Sequence, residues 1–311
     1  MSCGSRSGLP GTPADAGAGP LDAAGEGPAP VQPGAACDTD ADCATGRYCV
    51  AAYRCDRDAG CVLTPRSCDD AVDCTRDACS DTARSCSHAA DDTLCPATEL
   101  CSALRGCDAF VYAMASDMHL YETRVPSGGL VDLGVPPPAL SDLALGPDGV
   151  LYATDSYILY RVDRATAAAS AIASILPVHQ YAGLGEAAGV LLATADTSQL
   201  FQVDGASGAS LPVALLPSSL TGDVTALGGR VLVTVSNVNP PTDTLVAWAP
   251  PAQGATVVGD LGYARVWGLA TLGGVVYGLT STGAILTVDP TTGHATKIAQ
   301  AGVAFVGATG R

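Results

Sequence analysis

The sequence predicts an all-β protein: a five-bladed β-propeller closed by its C-terminal strand, preceded by a small disulfide-rich module and a disordered linker. Three observations carry that prediction. A strand motif recurs five times in this 311-residue chain, as HLYETRV (His119–Val125), ILYRVDR (Ile158–Arg164), QLFQVDG (Gln199–Gly205), TLVAWAP (Thr244–Pro250) and AILTVDP (Ala284–Pro290). The copies lie about 39, 41, 45 and 40 residues apart, the period of a propeller built from four-stranded blades. Twelve of the thirteen cysteines crowd into residues 37–107, and the first 36 residues are mostly Gly, Ala, Pro and other small residues. The expected divisions are therefore residues 1–36, 37–107 and 108–311.

Residues 1–36 read as a tether, because small residues and proline bury too little apolar surface to offset the entropy of ordering. The chain opens Met1-Ser2-Cys3-Gly4-Ser5, with no charged or apolar stretch of the kind that begins a signal peptide. No run of 18 apolar residues is present to span a bilayer as a helix. The clustered cysteines nonetheless call for an oxidising compartment. The two fit together if the start codon has been assigned too late, or if the chain lacks its leader. Cys3 is the odd cysteine once twelve others pair. Its setting ahead of a tether resembles the start of a mature bacterial lipoprotein, which implies a lipid on Cys3. An accidental thiol is the alternative. The expected location is extracytoplasmic, secreted or on the outer membrane, with membrane contact only through that lipid.

In the cysteine module, Cys37, Cys43, Cys49, Cys55 and Cys61 are each six apart, and Cys68, Cys74, Cys79, Cys86, Cys95, Cys101 and Cys107 follow. Few large apolar residues lie between them, so disulfides must replace a core, each contributing on the order of 2–4 kcal/mol. Structural zinc favours Cys-x2-Cys knuckles. No two of these cysteines are three apart and only His88 is nearby, so disulfides are expected, with the pairing left open. Asp38, Asp40 and Asp42 alternate in a way that suggests calcium, the one cofactor the chain brings to mind. The EF-hand pattern fails, since Cys43 stands where glycine is needed and Cys49 where a bidentate Glu belongs.

The stretch Cys68-Asp69-Asp70-Ala71-Val72-Asp73-Cys74-Thr75-Arg76-Asp77-Ala78-Cys79, followed by Cys86-Ser87-His88 and Cys95, resembles the Cys-Thr-Asp-Cys repeat of slime-mould and myxobacterial surface proteins. Cys37–Cys49 and Cys95–Cys101 resemble short segments of Dickkopf-like domains in bacterial lipoproteins. The resemblance implies a surface setting and no catalysis.

The blades follow in order. Second strands are expected at Phe110–Ser116, Val150–Ser156, Val190–Asp196, Val231–Asn237 and Val275–Ser281. The recurrent motif is the third strand. Turn signals follow it, as in Val162-Asp163-Arg164-Ala165-Thr166 and Val288-Asp289-Pro290-Thr291-Thr292-Gly293, because a hairpin needs tight-turn dihedrals. The last of these resembles turns of bacterial propellers. Fourth strands are expected at positions such as Ala167–Ile175. First strands begin near Ser141, Tyr181, Asp223 and Val266, and the fifth appears only at Val303–Thr309. The C-terminal strand should therefore complete the blade begun at Phe110, which removes an open sheet edge.

The net charge is −16, from 31 acidic and 15 basic residues. No basic stripe exists to neutralise phosphates, which excludes nucleic-acid binding as a working reading. No Gly-x-Ser-x-Gly elbow, His-Glu-x-x-His pair or P-loop occurs. The loops joining second to third strands place polar residues at one spot in every blade, among them Asp117, His119, Asp155, Asp196 and Asn237. They could bind sugar hydroxyls or a cation, or be ordinary turn chemistry. Aligning the first strands puts Asp142, Tyr181, Asp223, Trp267 and Phe305 in one column around the expected channel. The aromatics could stack on a sugar, and the two acids could attempt hydrolysis, which needs carboxyls at a set separation with split pKa values. Alternatively, the aromatics fill space and the aspartates bond backbone amides. The leading expectation is a monomeric, non-enzymatic protein that binds glycan or protein at the cell surface. A glycoside hydrolase or metal-dependent lactonase-like enzyme using Asp142 and Asp223, and a scaffold without ligand, are the rivals.

Overall fold

The computed structural model describes residues 31–311 apart from 178, 219–220 and 238–240. Cys3 and all but the end of the tether lie outside the described residues. The described chain forms two compact units. One reaches Ser67 and takes in Asp81–Arg84; the other comprises Cys68–Ser80 and Ser85–Arg311.

The first unit is a short 3-10 turn (Asp40–Cys43) and an antiparallel hairpin of strands Val50–Asp56 and Gly60–Pro65. Disulfides Cys37–Cys55 and Cys43–Cys61 tie the two together. Two carboxylates of the Asp38, Asp40 and Asp42 trio serve the turn: Asp42 accepts the amides of Asp38 and Thr39, and Asp40 accepts the Cys55 amide.

In the second unit, residues 68–80 and 85–108 carry two more hairpins, Thr75–Ser80 with Ser85–Ala90 and Leu100–Ser102 with Gly106–Asp108. Bridges Cys68–Cys86, Cys74–Cys101 and Cys95–Cys107 hold them. All twelve cysteines from Cys37 to Cys107 are disulfide-bonded, as their spacing predicts.

Five four-stranded antiparallel sheets follow. Blade 1 joins Phe305–Thr309 to Phe110–Ala115, Leu120–Arg124 and Leu130–Gly134. The C-terminal strand is thus its innermost strand and closes the ring, as the missing first strand predicts. Blades 2, 3, 4 and 5 open with inner strands Asp142–Leu145, Tyr181–Ala187, Thr221–Leu227 and Val266–Leu272. Second strands are mostly buried, Phe110–Ala115 from end to end, while outer strands such as Ala169–Ser174 are largely uncovered. This gradient is the expected result of stacking apolar sheet faces around one axis.

The disulfide segment 68–107 is anchored on the blades by a buried ion pair. Arg164 reaches both oxygens of Asp92, at 2.9 and 2.6 Å, and also donates to the Cys101 carbonyl and the Tyr112 hydroxyl. Every arm of the guanidinium is used, the condition under which a buried charge is tolerated. Nearby, Ser102 and Arg105 both donate to the buried Glu122, whose carboxyl burial pushes above the ordinary range.

Candidate functional site

The centre of the propeller is where the inner strands converge, and there they close on one another through glycines. A Cβ at Gly183 would overlap the carbonyl oxygen of Gly222, and one at Gly307 would overlap the carboxylate of Asp142. Only a residue without a side chain permits that approach.

Asp142 and Asp223 meet in this closed centre, at 0% and 1% exposure. Asp142, on blade 2, accepts the amide of Leu184 in blade 3 at 2.8 Å and its own neighbour Leu143 at 2.8 Å. Asp223, on blade 4, accepts Val224 at 2.6 Å, Leu269 of blade 5 at 2.6 Å and Ala308 of blade 1 at 3.1 Å. The two carboxyl groups also bond each other. The pair therefore touches the inner strands of all five blades. Burial raises both carboxyls, Asp223 to about 8, and the Asp223 charge raises Asp142 further. Two carboxylates cannot both ionise at hydrogen-bond distance without water, so the pair keeps at least one proton.

The expected column of five residues does not form. Tyr181 and Phe305 pair with Ala195 and Ala115, one step outside a β-bulge that interrupts each of these inner strands. The level of Asp142, opposite Thr154, is taken instead by Gly183, Gly268 and Gly307, opposite Thr194, Leu279 and Met114. The extra residue in each bulge shifts the register that sequence alignment assumes. Tyr181 is wholly buried, edge-on to Phe201 at 5.7 Å, with its hydroxyl on Ser210 and Pro177. Phe305 fills the blade 1 core. Trp267, within the bulge, is exposed, and Arg265 lies over its ring.

The polar loop residues mostly serve their own turns. Asp117 accepts the His119 amide and the Tyr121 hydroxyl; Asp155 accepts the Tyr157 and Ile158 amides and the Tyr160 hydroxyl. Asn237 donates to Thr244. His119 bonds Asp132 at 2.9 Å, which raises its pKa. Asp196 is exposed and stands 3.7 Å from His179. What these loops and their neighbours leave uncovered is Met118, Tyr157, Leu176 and Trp267, each between 38% and 52% exposed.

The anchor Arg164–Asp92 escaped the sequence reading. One signal was present: Arg164 stands where the other Val-Asp turns have Gly205 and Pro290, a departure from the repeat.

No family model matches the chain, and no curated protein matches it in sequence. Among solved structures, a chain from "Crystal structure of Nidogen/Laminin Complex" is similar at 9% identity, covering 64% of this chain and 97% of that one, with a TM-score of 0.48.

Proposed function

We propose that the chain is a non-enzymatic binding protein of an extracytoplasmic compartment, taking a protein or glycan on the end of the propeller where the second-to-third and fourth-to-first loops lie. The observation that carries this reading is the state of Asp142 and Asp223. They are the acid–base pair the sequence offers, and both are sealed from solvent and spent on inter-blade amides. A hydrolytic pair must instead reach a substrate and a water. The apolar and aromatic side chains at Met118, Tyr157, Leu176 and Trp267 support a contact surface on that end. The disulfides require an oxidising environment. The likeness of the cysteine motifs to bacterial surface lipoproteins supports a cell-surface setting, with Cys3 as the lipid-bearing residue.

A glycan array and a pull-down of surface proteins, run with the wild type and with Tyr157→Ala/Trp267→Ala, test this reading. A ligand captured by the wild type and lost by the variant is expected. No ligand above background, or hydrolysis of glycoside or lactone substrates that vanishes in Asp142→Asn, contradicts it.

A further inference from the structure

We propose that Asp70, Asp77 and His88 form a zinc-binding site on the disulfide-stapled hairpin of the second unit. Asp77 and His88 face each other across the hairpin Thr75–Ser80/Ser85–Ala90. Asp70 enters from the preceding loop. His88 Nδ1 lies 2.9 Å from Asp77 Oδ1 and 3.4 Å from Asp70 Oδ2, and the three ligand atoms lie within 4.8 Å of one another.

Both carboxylates are already oriented. Asp70 Oδ1 accepts the Val72 amide and the Thr75 hydroxyl, which turns Oδ2 toward His88. Asp77 Oδ2 accepts the Asp70 amide, which turns Oδ1 the same way. Outer hydrogen bonds of this kind aim metal ligands before the ion arrives. The Cys68–Cys86 bridge adds covalent restraint beside the site.

The spacing suits zinc. Ligands at about 2.0–2.2 Å in a tetrahedron lie roughly 3.3–3.6 Å from one another, so His88 Nδ1 needs a shift of at most a few tenths of an ångström from either carboxylate oxygen. One imidazole and two carboxylates also suit zinc better than calcium, which takes six to eight oxygens. The twelve cysteines from Cys37 to Cys107 are bonded in disulfides and do not compete. Asp70 and His88 line a cleft of about 570 Å³ bordered by the turn Asp163–Thr166. Water from that cleft completes the coordination.

The test is calorimetric titration of the full oxidised chain with zinc chloride at neutral pH, after chelator treatment and a thiol assay, with calcium and magnesium in parallel. One zinc per chain is expected, bound far tighter than either other ion. His88→Ala should lose more than about 100-fold in affinity, and Thr75→Val, which removes only an outer partner, roughly 10–100-fold. If His88→Ala misfolds, anomalous scattering at the zinc edge from wild-type crystals decides, with the peak expected between the three side chains. No zinc bound by the wild type, a peak elsewhere, or undiminished binding by a folded His88→Ala overturns the proposal and leaves the trio a simple ion pair.

Discussion

At the centre of the propeller, Asp142 and Asp223 are held away from water, where burial favours the proton. At the rim, Asp204 and Asp289 are open to solvent, where hydroxyl and amide donors favour the charge: Ser207 and Thr291 hold both carboxyls below the ordinary range, Asp289 at about 2. The same residue type thus does opposite work two strands apart. At the rim it shapes a turn locally, within one hairpin. At the centre it joins strands that come from all five blades. Position on the sheet, through the water it admits, decides which role the side chain takes.

The largest way to break the contrast is to remove the central acceptor. Asp223→Ala leaves the amides of Val224, Leu269 and Ala308 without their partner, each costing about 1–3 kcal/mol. Chemical denaturation should show a loss of several kcal/mol or no folded protein. The equivalent change at the rim, Asp204→Ala, removes a solvent-exposed turn bond and should move the midpoint far less.

Next comes the anchor of the disulfide segment. Arg164→Ala strands Asp92 in a buried site and should cost about 3–5 kcal/mol. Hydrogen exchange should show the loss first in residues 68–107 and in blade 2. Uniform loss across all blades would mean that the segment and the propeller unfold as one cooperative body.

Smaller is the effect of pH, where the two regions should part. The central carboxyls have raised folded values, so their contribution is fully present below the ordinary value of 3.8 and is lost as pH rises through about 8. The rim carboxyls have lowered values, so theirs is present above 3.8 and is lost as pH falls toward about 2. Denaturation midpoints should therefore decline on both sides, with different groups responsible on each.

The smallest expected effect on folding is at Trp267. It sits exposed in a bulge, so Trp267→Ala should change stability by no more than about 0.5 kcal/mol. A loss of ligand without a loss of stability would sharpen the division between a closed centre and a working surface.

How much of this was legible in the sequence depends on the range of each interaction. The blade count and the closing strand followed from the period of the third-strand motif and from Phe110 entering at a second strand. Those are local patterns repeated five times, and repetition averages out noise. That Asp142 and Asp223 belong together was also legible, since aligning the first strands sets the two acids at one level. The aromatic column failed because β-bulges before Gly183, Gly268 and Gly307 insert a residue that carries no compositional mark. The Arg164–Asp92 anchor joins positions 72 residues apart, and nothing local in Asp91-Asp92 tells a cap from a buried partner. The Asp70, Asp77 and His88 trio needs the hairpin register before its members face one another.

The closed centre of the propeller depends on a proton held between Asp142 and Asp223. The direct test is urea denaturation of the wild type and Asp142→Asn from about pH 4 to about pH 8, the span between the ordinary and the raised values. The account predicts that the wild type loses stability relative to the variant as pH rises, by up to about 1.4 kcal/mol per pH unit for one proton. Parallel curves, with Asp142→Asn folded and equally sensitive to pH, would contradict it.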